Sequence, residues 1–85
     1  MKAFVLIQTH GEAVGARLRS IPGIESTEDV TGPFDAIALV TAGSGRELFD
    51  AILPTIREVP GVSRVLPAPV VRSLPSLVPA GTQAA

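Results

Sequence analysis

The sequence predicts an α+β sandwich built on one four-stranded antiparallel sheet, and three observations predict it. Residues 3–7 (AFVLI) and 36–40 (AIALV) are short, continuous apolar runs of the kind that form central strands. Each is followed by apolar residues at helical spacing. A turn of the form I/V-Pro-Gly-I/V then occurs twice, at residues 21–24 and 59–62, each time where a helical pattern gives way to a strand pattern.

The elements follow in order. Strand 1 covers about residues 2–9 and ends at the polar Gln8-Thr9. Thr9 and Glu12 form a T-x-x-E capping box, which predicts a helix from about residue 11 with Val14, Leu18 and Ile21 on one face. Pro22-Gly23 stops it, because proline cannot continue a helix and glycine accepts the positive φ of a C-terminal cap. Residues 24–30 (IESTEDV) alternate weakly and carry Glu25, Glu28 and Asp29, which suits a solvated edge strand. Residues 31–35 (TGPFD) form a turn, and residues 35–42 form strand 3. Ser44 and Glu47 make a second capping box for a helix to about Glu58, carrying Leu48, Phe49, Ile52, Leu53 and Ile56. Pro54 inside it predicts a kink. Strand 4 covers residues 62–66 and is expected to end early, since Pro67 and Pro69 cannot donate to a ladder; Val70-Val71 could add a short edge strand. The domain spans residues 1–72, and 73–85 read as an extended or disordered Pro/Ala-rich tail. The order is β-α-β-β-α-β, and right-handed crossovers put both helices on one face of the sheet, the ferredoxin-like arrangement.

Composition narrows the function. Eighty-five residues make one domain. Without cysteine there is no disulfide and no thiolate, and one histidine cannot build a His-rich metal site. Seven Lys/Arg against eight Asp/Glu, with no basic run, argue against direct nucleic-acid binding. No apolar run reaches the roughly 18–20 residues of a membrane span, and the apolar stretch at the N-terminus is too short for a signal peptide. A cytoplasmic protein without cofactor is the expectation. Yet 46% of the residues are apolar, and both sides of strands 1 and 3 are apolar: Phe4 and Leu6 against Ala3, Val5 and Ile7; Ile37 and Leu39 against Ala36, Ala38 and Val40. Two helices cover one sheet face only. Pairing of two sheets in a homodimer is the simplest cover for the other, and a tail folded back over it is the alternative.

Chemistry-bearing residues are few. His10 has no acid at a spacing that orients it, and no Ser/His/Asp set, phosphate loop or metal spacing occurs, so an enzyme is not expected. Gly43-Ser44-Gly45 could cradle an anion, but a helix cap and flexible turn is the better reading of it. The turn between strands 2 and 3 holds more: the Thr31 hydroxyl, exposed backbone N–H groups beside Gly32, the Phe34 ring and the Asp35 carboxylate. Such a set can hold an amino acid, with Asp35 on the ammonium and backbone donors on the carboxylate. Plain turn chemistry explains the same residues about as well.

The segments IPGI, VTGPFDAIALV and REVPGVSR together make the chain resemble the C-terminal effector (RAM) domain of the Lrp/AsnC, or feast/famine, transcription regulators, over about residues 2–72. The most specific part is V-T-G-x-x-D-x-x-x-x-V, met by Val30, Thr31, Gly32, Asp35 and Val40. The resemblance implies sheet-to-sheet dimers that assemble into octamers or larger rings, and an amino-acid effector bound between subunits near Thr31, Gly32 and Asp35, with Phe34 as a wall. Full-length members carry an N-terminal helix-turn-helix, and this chain begins at strand 1, so it reads as a stand-alone module acting through a partner, a full-length regulator being the natural candidate. Members usually have a Thr-rich strand 4, and Val65, Pro67 and Pro69 depart from that. Two other readings share the fold: a hetero-oligomerisation module without ligand, and a small dimeric αβ-barrel enzyme, which would need polar residues inside the sheet cavity. An ACT-type effector domain is close in shape, but its Asp-x-Pro-Gly after strand 1 is absent from Thr9-His10-Gly11-Glu12.

Overall fold

A computed structural model describes residues 1–71. The expected tail, residues 73–85, lies outside the described residues. Four strands, β1 (Lys2–Thr9), β2 (Ile24–Asp29), β3 (Ala36–Thr41) and β4 (Val62–Pro69), form one antiparallel sheet in the order β2-β3-β1-β4. Helix α1 (Gly15–Arg19) joins the first two strands. A longer helical stretch joins the last two; it runs through α2 (Gly45–Glu47), a π-helical segment (Leu48–Ile52) and α3 (Leu53–Arg57). This is the ferredoxin-like βαββαβ arrangement.

The pleat sorts side chains by parity. Ala3, Val5 and Ile7 of β1 pair with Val40, Ala38 and Ala36 of β3, and all six are buried. Val14, Leu18 and Ile21 from the first helical region and Leu48, Ile52, Leu53 and Ile56 from the second close over them. Both helices therefore pack on one sheet face. The other face carries Phe4 paired with Leu39 and Ala68, and Leu6 paired with Ile37 and Leu66. Among the described residues no helix covers it, and Phe4 and Leu66 are 47% and 46% exposed.

The repeated Pro-Gly turn is a geometric device. Gly23 has φ +98, and a Cβ there would meet the Thr41 carbonyl oxygen at 3.1 Å and Ile52 Cδ1 at 3.0 Å. Only glycine permits both the backbone angle and the approach. Gly61 repeats the φ of +98 at the end of the second helical stretch.

Four expectations need correction. Helix α1 begins at Gly15 rather than about residue 11, because the Thr9 capping box does not form. The Thr9 hydroxyl accepts from Gly11 N–H at 3.1 Å and donates to Asp35, while Glu12 lies across Gly61. Phe49 follows the helical spacing but is 48% exposed. The widened π turn explains it: Leu53 N–H reaches back to the Leu48 carbonyl, which rotates the face presented to the sheet. That turn is also how the stretch accommodates Pro54, which falls in the first turn of α3 where no N–H is required.

The last two corrections concern β4, which continues to Pro69 instead of stopping at Leu66, while Val70-Val71 form no strand. Val70 N–H donates to the Lys2 carbonyl at 2.8 Å, and antiparallel alternation then gives Ala68 and Leu66 the same inward direction. Pro67 and Pro69 take the outward positions of an edge strand, where a missing N–H costs the ladder nothing. Two proline exchanges separate the positions. Pro67→Ala should change stability by under about 1 kcal/mol, whereas Ala68→Pro should lose roughly 1–3 kcal/mol with its ladder bond. Urea-denaturation midpoints measure both, and equal costs would contradict the register.

Candidate functional site

The candidate site lies where the β2–β3 hairpin meets the end of β1. Val30 N–H donates to the Asp35 carbonyl at 2.9 Å and closes the turn, and Asp35 N–H donates to the Ile7 carbonyl at 2.9 Å. Asp35 Oδ2 accepts from Thr9 N–H at 2.8 Å and from the Thr9 hydroxyl at 3.3 Å. Gln8 Nε2 donates to the Pro33 carbonyl at 3.1 Å. A hairpin tip that an isolated turn would leave loose is thus tied to β1, a central strand of the sheet.

The structure brings Thr31, Gly32, Phe34 and Asp35 together at this tip. Thr31, Gly32 and Asp35 are exposed and Phe34 is half-buried. Gly32 has φ +119, and nothing lies within 4 Å of where a Cβ would sit, so its backbone is open to an approaching group. The Thr31 hydroxyl has no hydrogen-bond partner among the described residues, nor has the second Asp35 oxygen. The carboxylate therefore splits its work, one oxygen bracing the fold and the other facing out.

Three neighbours were not legible in the turn itself. Thr9 and Gln8 end the β1 run, and their polarity after AFVLI was the available signal. Arg64 of β4 sits opposite Gln8 and places its guanidinium carbon 5.8 Å from the Phe34 ring centroid, within cation–π range. The other sequence candidates do not join the site. His10 is exposed, with its backbone N–H on the Gly61 carbonyl at 2.9 Å. Glu25, Glu28 and Asp29 are exposed on edge strand β2, where Glu25 pairs with Lys2 at 3.5 Å. The donors of Gly43-Ser44-Gly45 are used by the helix cap: Gly43 N–H donates to Glu47 Oε1 at 2.6 Å, and Ser44 Oγ accepts from Glu47 N–H at 3.1 Å. Among the described residues, no cluster of three His, Cys, Asp or Glu side chains could hold a metal, and no helix is long and apolar enough to cross a membrane.

A family model described as the Lrp/AsnC ligand binding domain matches residues 2–75. Among solved structures, TTHA0845 from Thermus thermophilus is similar at 33% identity and TM-score 0.78, over 88% of this chain and 98% of that one. The leucine response regulatory protein LrpA of Mycobacterium tuberculosis is similar at 30% identity and TM-score 0.76, over 88% of this chain and 53% of that one. The M. tuberculosis feast or famine regulatory protein Rv3291c, solved in complex with L-methionine, is similar at 30% identity and TM-score 0.75, over 88% of this chain and 52% of that one. The chain thus spans about half the length of these two regulators. Comparison with curated proteins gave no match.

The brace from β1 to the hairpin has a measurable cost of removal. Asp35→Ala should destabilise the ligand-free protein by about 1–2 kcal/mol, since both bonds to Thr9 go to a charged acceptor. Thr9→Val keeps the N–H bond and should cost less. Chemical denaturation of the two variants gives the order, and a reversed order would show that the carboxylate does not hold the hairpin.

Proposed function

The chain belongs to the Lrp/AsnC ligand-binding-domain family, and on that premise we propose that it is a cytoplasmic sensor module that binds an amino acid at the β2–β3 hairpin and works as an oligomer. The observation that carries the reading is the outward-facing set at the hairpin tip: the Thr31 hydroxyl, the open backbone at Gly32 and the free oxygen of Asp35. A carboxylate finds backbone donors there, an ammonium finds Asp35, and Phe34 offers an apolar wall. The complex of a similar regulator with L-methionine supports the ligand class.

Within one protomer these residues line open surface, so a second subunit supplies the rest of the enclosure. The apolar sheet face favours the same conclusion. Phe4, Leu6, Ile37, Leu39 and Leu66 make a stripe across all but the β2 edge, and fully burying such side chains is worth about 1.5–3 kcal/mol each. The proposal is a sheet-to-sheet homodimer that assembles further into an octamer or larger ring. The role is regulatory and not enzymatic, because both sides of the central strands are apolar and offer no polar cavity for a reaction. With no basic footprint of its own, the module passes its signal through a DNA-binding partner such as a full-length regulator.

One observation favours a second reading. Asp35 is engaged by Thr9, which is what a hairpin kept only for structure would also show. That reading is an oligomerisation module without ligand.

Thermal shift against the twenty amino acids, L-methionine included, separates the two. A bound ligand at a hundred times its dissociation constant stabilises by about 2.7 kcal/mol, a rise of roughly 10 °C or more in a domain this small. If no amino acid raises the midpoint, the ligand-free module is the better description. Sedimentation velocity tests the assembly. The native protein should run as a dimer or larger, and Leu66→Glu should run as a single subunit with its circular dichroism unchanged. A native protein that is already a single subunit at micromolar concentration would falsify the pairing.

A further inference from the structure

A cation from β4 also reaches the hairpin. Arg64 pairs with Gln8, continuing the series Phe4–Ala68 and Leu6–Leu66, so its side chain rises from the open sheet face. β3, which carries the hairpin, and β4 flank β1 on opposite sides. The Arg64 guanidinium carbon nevertheless lies 5.8 Å from the Phe34 ring centroid, so the arginine crosses β1 to meet the ring. Gln8, the residue it crosses, is bonded to the same hairpin through the Pro33 carbonyl at 3.1 Å. The stacking restricts the rotamers of Arg64 before any ligand arrives. Other arginines are engaged within the chain: Arg17 donates to the Pro60 carbonyl at 3.1 Å, and Arg19 to Thr27 Oγ1 at 2.8 Å. Arg64 makes no hydrogen bond or ion pair among the described residues and is exposed, so its fork of donors is open.

We propose that Arg64 determines the specificity of the hairpin site and that the site takes an acidic amino acid, L-glutamate or L-aspartate. This rests on the reading of the hairpin as an amino-acid site, with the ammonium on Asp35 and the α-carboxylate on the backbone donors beside Gly32. A side chain laid along Phe34 then ends at the guanidinium. A second carboxylate finds a planar, charge-assisted partner there. A thioether or an aliphatic chain would cover the guanidinium and take water from it without returning a hydrogen bond. A carboxamide keeps the shape and gives up the charge. The ammonium of a lysine side chain would meet a like charge. On the other side of the hairpin β2 ends in Glu28 and Asp29, both exposed, so the β4 side is where a second negative charge is favoured. Phe34 serves twice, as the wall for the ligand and as the rest on which the arginine is held.

The test is NMR of the 15N-labelled native chain titrated with L-glutamate, L-aspartate, L-glutamine and L-methionine, read at the Thr31 and Gly32 amides and at the Arg64 Nε–H. The better of the two acids should saturate all three signals and bind at least about tenfold more tightly than L-glutamine or L-methionine. Arg64→Gln should remove that advantage while leaving L-methionine within about twofold of its native affinity. Arg64→Lys keeps the charge without the planar fork and should fall between the two. An arginine that only supported the fold would, when replaced, weaken every ligand alike. The proposal is overturned if L-glutamine or L-methionine binds as tightly as the better acid, if the acid leaves the Arg64 Nε–H unmoved, or if the Arg64→Gln protein keeps the preference. In each of these cases an amino acid still binds and the hairpin reading stands. If none of the four ligands moves Thr31 and Gly32, the role of Arg64 falls, and the thermal-shift screen of all twenty amino acids decides the hairpin reading separately.

Discussion

Everything in this molecule is arranged around the pairing of β1 with β3, two strands that are apolar on both sides. One side is solved within the chain. Ala3, Val5, Ile7, Ala36, Ala38 and Val40 meet the helices, and the alanines let the helical layer sit close to the sheet. The other side is left open by the described residues. A small domain is stable by only about 5–15 kcal/mol, and a stripe of half-exposed Phe and Leu side chains represents a comparable sum. Association through this face is one way to finish it, and it is the way the proposed function takes.

The hairpin shows how structure and recognition can share atoms. Its tip is anchored to β1 by Asp35, Thr9 and Gln8, so the groups proposed to meet a ligand are braced by a central strand of the sheet. Preorganisation of this kind lowers the ordering cost of binding. It also couples the site to the fold, because a ligand that draws on Asp35 acts on the same carboxylate that holds the turn. The Arg64–Phe34 contact extends that coupling across to β4.

Much of this was legible in the sequence, for reasons that can be named. Element order, both Pro-Gly turns and the buried faces of the helices follow from local patterns, and Val14, Leu18, Ile21, Leu48, Ile52, Leu53 and Ile56 are buried as their spacing requires. The failures are all cases where something beyond local spacing decided. Thr9 looked like a helix cap and instead bonds Asp35, which is 26 residues away. Phe49 had the right spacing until the π turn rotated it outward. Pro67 and Pro69 looked like strand breakers because a sequence does not reveal which side of a strand lies at the edge. At the site, the turn residues announced themselves through composition, while Gln8, Thr9 and Arg64 joined them only through the register of other strands.

Those two prolines have one more effect. A sheet whose outermost strand keeps its free donors can recruit a strand from the next molecule, and then another, until it has become a fibre. Here one flank is blunted by imino acids and the opposite one carries Glu25, Glu28 and Asp29, which repel their own copies. Lateral polymerisation is discouraged at both ends. The proposed pairing through the broad apolar face can therefore stop at finite, closed particles instead of running on into a fibre.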